Sequence, residues 1–177
     1  MAGEALLIID MQQGILAEVP DGDALTVRVA ELADRARAAG RPVFLVQHQS
    51  ADLVPDEPPW RLAESIAACD SDVLLAKRNA DSFIGTDLDE RLRELGIGHV
   101  IVTGLTTEFC VDSTCRAALS RGYDLTLIED GHSTTVQAPD SPLSAETIVS
   151  HYNRVLSSAE YPDRGVRVIP AADITFS

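Results

Sequence analysis

Residues 99–117, HVIVTGLTTEFCVDSTCRA, decide the fold and carry the chemistry. The apolar run His99–Thr103 predicts a buried strand that stops at Gly104. A polar turn, Leu105–Thr106–Thr107–Glu108–Phe109, then delivers Cys110 to the expected first turn of a helix over Val111–Ser120, stopped by Gly122. A thiol at a helix N-terminus meets unpaired backbone N–H groups and the positive end of the helix dipole, and both favour the thiolate.

Outward from this unit the chain alternates strand with helix. Ala5–Ile9 is an apolar run ending at Asp10. Asp23–Ala39 carries Leu25, Val29, Leu32, Ala33 and Ala36 at helical spacing, with Gly40 as its stop. Pro42–Val46 and Asp72–Ala76 read as the second and third strands, and Leu62–Cys69 as a short helix between them. Thr86 stands as an N-cap for a helix over Asp87–Leu95, with Gly96 as the stop. Asp124–Ile128 is the fifth strand, Leu143–Leu156 a helix, and Val166–Ile169 the sixth strand. Two segments read as loops: residues 50–62, SADLVPDEPPWRL, which hold the only Trp, and residues 131–143. Long ordered loops in compact domains are often functional.

Six apolar strands separated by helices predict one α/β domain over residues 1–177, a doubly wound six-stranded parallel sheet with helices on both faces. Strand order is not readable from the pattern. In such sheets ligands bind outside the carboxyl ends of the strands. The residues there are Asp10, Gln47–His48–Gln49, Lys77, Leu105–Cys110 and Glu129–Asp130. They include a carboxylate, an amine and a thiol, the set that nucleophilic catalysis uses. Each has a plainer role open to it: Asp10 as a turn residue, Lys77 as a solvated strand end, Cys110 as a packed small hydrophobe.

The 177 residues hold 28 Asp plus Glu against 14 Lys plus Arg, a net charge of −14. Such a surface repels phosphate backbones and anionic lipid, which argues against nucleic-acid or membrane-surface partners. It points to a small-molecule substrate that is neutral or cationic, or to an anionic one met by a locally basic pocket. The first residues, MAGEALLIIDMQQG, lack the basic and long apolar regions of a signal peptide. With three cysteines, an odd number, the chain reads as a cytoplasmic protein with free thiols. Cys115, five positions after Cys110, rotates away from it on a helix and reads as packing. There is no nucleophile-elbow serine, Walker loop, HExxH or paired CxxC, and the glycines of LGIGHVIVTG do not open a helix as a dinucleotide fingerprint requires.

Three segments, LLIIDMQQG, Lys77 with Ser82–Phe83 after it, and VTGLTTEFCVDSTCRAALSRGYD, resemble the signature regions of the isochorismatase-like cysteine hydrolases, in the right order and over nearly the whole chain. The small size, LSAETIVSHYN at 143–153 and HVIVTGLTTEFCV look closest to the streptothricin hydrolase-like members. The resemblance implies Cys110 as nucleophile, Asp10 as base and Lys77 as third member of a triad. It also implies a cis peptide at Leu105–Thr106, aiming the Thr106 and Cys110 N–H groups at one point as an oxyanion hole. On this reading the enzyme cleaves a C–N bond of a small amide or ureide and needs no cofactor. Gln47, Trp60, Phe83, Thr107 and Phe109 are the expected substrate-binding residues. Trp60 could equally anchor its loop and Phe83 equally pack the core. A homo-oligomer, dimer or tetramer, is implied as well.

Nicotinamidases in this family bind a metal with an Asp and two His near the end of the second strand. Here that region reads Gln47–His48–Gln49, so no metal is expected and His48 reads as a packed or hydrogen-bonded loop histidine. Isochorismatase-type chemistry, a nicotinamidase and a non-catalytic binding module on the same fold are the alternatives. His132 and Thr134 lie in the loop after Asp130, where structural roles are favoured.

Overall fold

The computed structural model of the protein describes residues 3–135 and 142–176. Six parallel strands form one sheet: β1 Gly3–Ile9, β2 Val43–His48, β3 Val73–Lys77, β4 Ile97–Leu105, β5 Asp124–Ser133 and β6 Val166–Ile169. Their order is β3-β2-β1-β4-β5-β6. The chain winds outward from β1 to β3, returns to β4 on the other side of β1, and winds outward again. The strand order therefore reverses between β1 and β4, and a crevice opens at their carboxyl ends.

The alternating side chains of the strands feed two cores. Leu6, Ile8, Leu45, Ile101 and Ile128 pack against Leu25, Val29, Leu32 and Ala36 of the long helix α2, Gly22–Ala38, and against Ile174 near the C-terminus. Leu7, Ile9, Phe44, Val46, Val102 and Leu127 face the other way. They pack against Leu88 and Leu92 of α3, Leu88–Glu94, against Cys115, Ala118 and Leu119 of α4, Asp112–Ser120, and against Leu156 of α5, Ala145–Ser157. A one-turn helix, α1, Gln13–Leu16, follows β1. Among the described residues no helix is long and apolar enough to cross a membrane.

Four elements differ from the sequence expectations. The helix expected over Leu62–Cys69 is only a 3-10 turn, Glu64–Ile66. Leu62 instead forms an antiparallel bridge with Gln12, and the Ala63 N–H donates to the Met11 carbonyl at 3.0 Å. Backbone groups that a helix would need are spent there. Asp87, not Thr86, holds the N-cap position of α3, but the Thr86 hydroxyl still accepts from the Leu88 N–H at 3.4 Å while donating to the Ser82 carbonyl at 2.6 Å.

The segment before α4 is a wide π turn, Thr107–Val111, in which the Phe109 and Val111 N–H groups both reach the Thr106 carbonyl. Finally, β5 runs on to Ser133, so Gly131–Ser133, expected as loop, is strand; residues 136–141 of that expected loop lie outside the described residues. The extension follows a register irregularity after Val102, beyond which Gly104 pairs with His132 and Leu105 with Ser133. The Thr103 hydroxyl fastens it by donating to the Gly131 carbonyl.

Candidate active site

Gly104 sits where the end of β4 closes on β1. Its φ is +119°, and a Cβ there would lie 2.0 Å from the Ile9 carbonyl oxygen. Only glycine lets the end of β4 come this close to β1. Just past β1, Asp10 takes a left-handed conformation, φ +53°, which Asp tolerates better than most side chains. Its N–H donates to the Val46 carbonyl and its own carbonyl accepts from the Gln12 N–H, both at 2.8 Å.

Lys77 ends β3, where it is paired in register with His48 of β2. Its four-carbon stem crosses the end of β2 to reach the crevice. There the ammonium donates to Asp10 Oδ2 at 2.7 Å and to Cys110 Sγ at 3.1 Å, and lies 3.3 Å from His48 Nδ1. An ammonium has three N–H donors, and these three acceptors use all of them. The Lys77 and Asp10 side chains are 0% and 1% exposed, so the pair is held entirely out of water. The Leu105–Thr106 peptide before the Cys110 turn is cis.

Burial controls the titration here. It pushes the Asp10 carboxyl above the usual carboxylate range, against the opposing pull of Lys77. It also pushes the Cys110 thiol up to about 11, with the Asp10 charge adding to the rise and Lys77 opposing it. This corrects the expectation of a thiolate favoured by a helix N-terminus. Cys110 sits inside the π turn and not in the first turn of α4, so desolvation and a neighbouring carboxylate outweigh the dipole. Cys110 therefore rests as a thiol. Asp10 Oδ1, buried and without a hydrogen-bond partner, is the oxygen left over once Oδ2 is tied to Lys77.

Asp10, His48 and Cys110 place one ligand atom each within 4.8 Å of one another, a geometry that could hold a metal ion. The Lys77 ammonium lies within hydrogen-bonding distance of all three donor atoms. The donor set is thus already organised around a cation that the chain supplies. Burial and the Lys77 charge both lower the pKa of His48, favouring the neutral ring that can accept from Lys77.

The expected substrate-binding residues separate. Gln47 is buried, and its amide donates to the Trp60 carbonyl at 3.0 Å, which ties the loop to β2. Gln12, which the sequence reading passed over, does the same, donating to the His48 and Trp60 carbonyls at 3.0 Å and accepting from the His48 N–H at 2.7 Å. Phe83 takes the core-packing alternative: it stacks on Tyr123 at 6.0 Å between ring centroids and lies under the Arg121 guanidinium. Thr107 is turned inward, buried, with its hydroxyl 2.8 Å from His132 Nδ1. Trp60 is half-buried, and Phe109, immediately before Cys110, is 62% exposed. His48 and His132 gave only the weak signal of lying just past apolar runs; the pairing that uses them is tertiary.

The fold and this crevice define a class, and comparison with known proteins agrees with it. The isochorismatase domain model matches residues 4–160. The uncharacterized isochorismatase family protein YecD of Escherichia coli O157:H7 is 37% identical over 145 residues, covering 71% of this chain and 77% of YecD. A streptothricin hydrolase of Streptomyces noursei is 32% identical over 151 residues, covering 82% of this chain and 60% of that protein. The crystal structure of an isochorismatase from Pseudomonas putida KT2440 superposes with a TM-score of 0.87 at 28% identity, covering 97% of this chain and 90% of that one. The chain belongs to the isochorismatase family of hydrolases.

Proposed function

We propose that the protein is a cysteine hydrolase that cleaves the C–N bond of a small amide or ureide through a thioester on Cys110. The observation that carries this reading is one ammonium, Lys77 Nζ, hydrogen-bonded to both Asp10 and Cys110. It holds base and nucleophile in one geometry, as a base–nucleophile pair requires. The similarity to a streptothricin hydrolase supports a hydrolytic reaction.

In the first half of the reaction, Asp10 Oδ1 takes the Cys110 proton as Sγ attacks the carbonyl carbon. The carbonyl π pair moves to oxygen, and the Thr106 and Cys110 N–H groups hold the oxyanion. The tetrahedral species collapses by breaking C–N, and Asp10 returns the proton to the departing nitrogen. The raised pKa of Asp10 suits this second role, because a carboxyl at its ordinary value is a poor acid at neutral pH. In the second half, water attacks the thioester, Asp10 takes its proton, and C–S breaks to release the acid and restore the thiol. Because the thiol begins protonated, its deprotonation is coupled to attack.

A panel of small amides and ureides, read by ammonia or amine release and by mass spectrometry of acyl-Cys110, tests the proposal. A substrate should leave an acyl adduct on Cys110 that Cys110→Ala abolishes. Turnover that survives Cys110→Ala would refute the thioester route.

A further inference from the structure

The nucleophile turn is held from behind by the end of β5. Thr107, the residue after Thr106, brings its hydroxyl to 2.8 Å from His132 Nδ1. His132 Nε2 lies 2.8 Å from Asn153 Oδ1 on α5, and Asn153 Nδ2 donates to the Glu129 carbonyl at 2.9 Å. The direction of each bond follows from this chain. An amide oxygen only accepts, so His132 carries its proton on Nε2. The neutral ring then accepts at Nδ1, and the Thr107 hydroxyl must donate. His132 is 3% exposed, and its burial lowers its pKa, which favours the neutral ring. A second tie lies beside the first: the Thr134 hydroxyl donates to Glu108 Oε1 at 2.6 Å. Two consecutive residues of the turn are therefore fastened, one to the strand extension that Gly131 makes possible and one to Thr134 just past its end. A Cβ on Gly131 would lie 2.7 Å from Thr103 Oγ1.

We propose that His132 is a positioning residue for the reaction: held by Asn153, it accepts the Thr107 hydroxyl and fixes the turn that presents the Thr106 and Cys110 N–H groups. This rests on the thioester reading above. It links α5, which touches neither the base nor the nucleophile in any bond described, to the place where the oxyanion is held. Small displacements there weigh heavily, because donors must lie about 3 Å from the developing oxyanion.

Two probes of the intact protein separate this role from a merely structural one. p-Nitrophenyl acetate acetylates Sγ through a tetrahedral oxyanion, breaking the ester C–O bond and releasing p-nitrophenolate. Iodoacetamide alkylates the same sulfur by displacing iodide and forms no oxyanion. Both products are counted on the Cys110 peptide by mass spectrometry. Thr107→Val keeps the shape and removes the donated hydrogen bond. It should slow acetylation roughly 10- to 100-fold and leave alkylation within about twofold. Thr107→Ser restores the hydroxyl and should recover acetylation. Asn153→Ala, remote from the turn, should slow acetylation in the same sense by a smaller factor. Unchanged acetylation in Thr107→Val, or equal slowing by both probes, overturns the role of His132 while leaving the thioester reading intact. No acetylation of Cys110 in the unsubstituted protein would overturn both.

Discussion

Cys110 and Cys115 lie five residues apart, and burial raises the pKa of both. Cys115 is fully buried in α4 against the sheet and has the stronger rise, with the Asp112 charge adding to it. Cys110 is half-buried, touches the Lys77 ammonium, and has Asp10 beside it. The contrast separates reactivity from acidity. Neither thiol is acidic at rest, so a depressed pKa is not what sets Cys110 apart. A neighbouring carboxylate and an ammonium on its sulfur distinguish Cys110, and Cys115 has neither among its described contacts.

The sharpest break of this comparison is to exchange the losses. Cys110→Ala should cut turnover by at least about 10³-fold, since removing a nucleophile leaves only binding and oxyanion contributions. Cys115→Ala should leave kcat and KM within about twofold. Steady-state assays on a substrate from the amide panel read both, and comparable losses would erase the distinction.

Asp10→Asn should next part chemistry from acidity. Turnover should fall about 10²- to 10⁴-fold with the loss of the general base. The Cys110 thiol should become more acidic, because the Asp10 charge raises its pKa. In the unsubstituted protein, alkylation of Cys110 by iodoacetamide should climb with pH toward about 11, as the thiolate forms only near that value. In Asp10→Asn the same curve should move to lower pH. A curve that stays in place would mean that Asp10 does not act on the thiol.

The smallest effect belongs to Cys115 itself. Cys115→Ala leaves a small cavity between α4 and the sheet and should cost about 1 kcal/mol. For a chain of this length that is a fall in Tm of about 2–4 °C, measurable by calorimetry.

Much of this site was legible one strand at a time. Asp10, Lys77 and Cys110 each stand just past an apolar run, and parallel α/β sheets gather such positions at one edge. The side-chain directions were not legible in the same way. Gln47 and His48 are neighbours on β2, and alternation along a strand sends them to opposite faces. One anchors the Trp60 loop and the other reaches the Lys77 ammonium, a split that residue type could not reveal. Thr107 and Phe109 flank Glu108 in a turn whose π geometry has no periodic signature, so their opposite fates, inward and outward, were equally hidden. The end of β5 was underestimated because GHST reads as turn chemistry. The pairing that makes Gly131–Ser133 a strand depends on β4 and on the Thr103 hydroxyl.

The amino-acid sequence by itself determined the alternation of strands and helices, the apolar faces that bury them, and the reactive residues set at strand ends. These follow from local periodicity and from residue chemistry that neighbours in the chain express. Only the tertiary structure decided the strand order that opens the crevice between β1 and β4. It also decided the three-way sharing of the Lys77 ammonium and the burial that makes Cys110 a reluctant thiol. Those properties arise from desolvation and from contacts between residues far apart in sequence, and no local pattern encodes either.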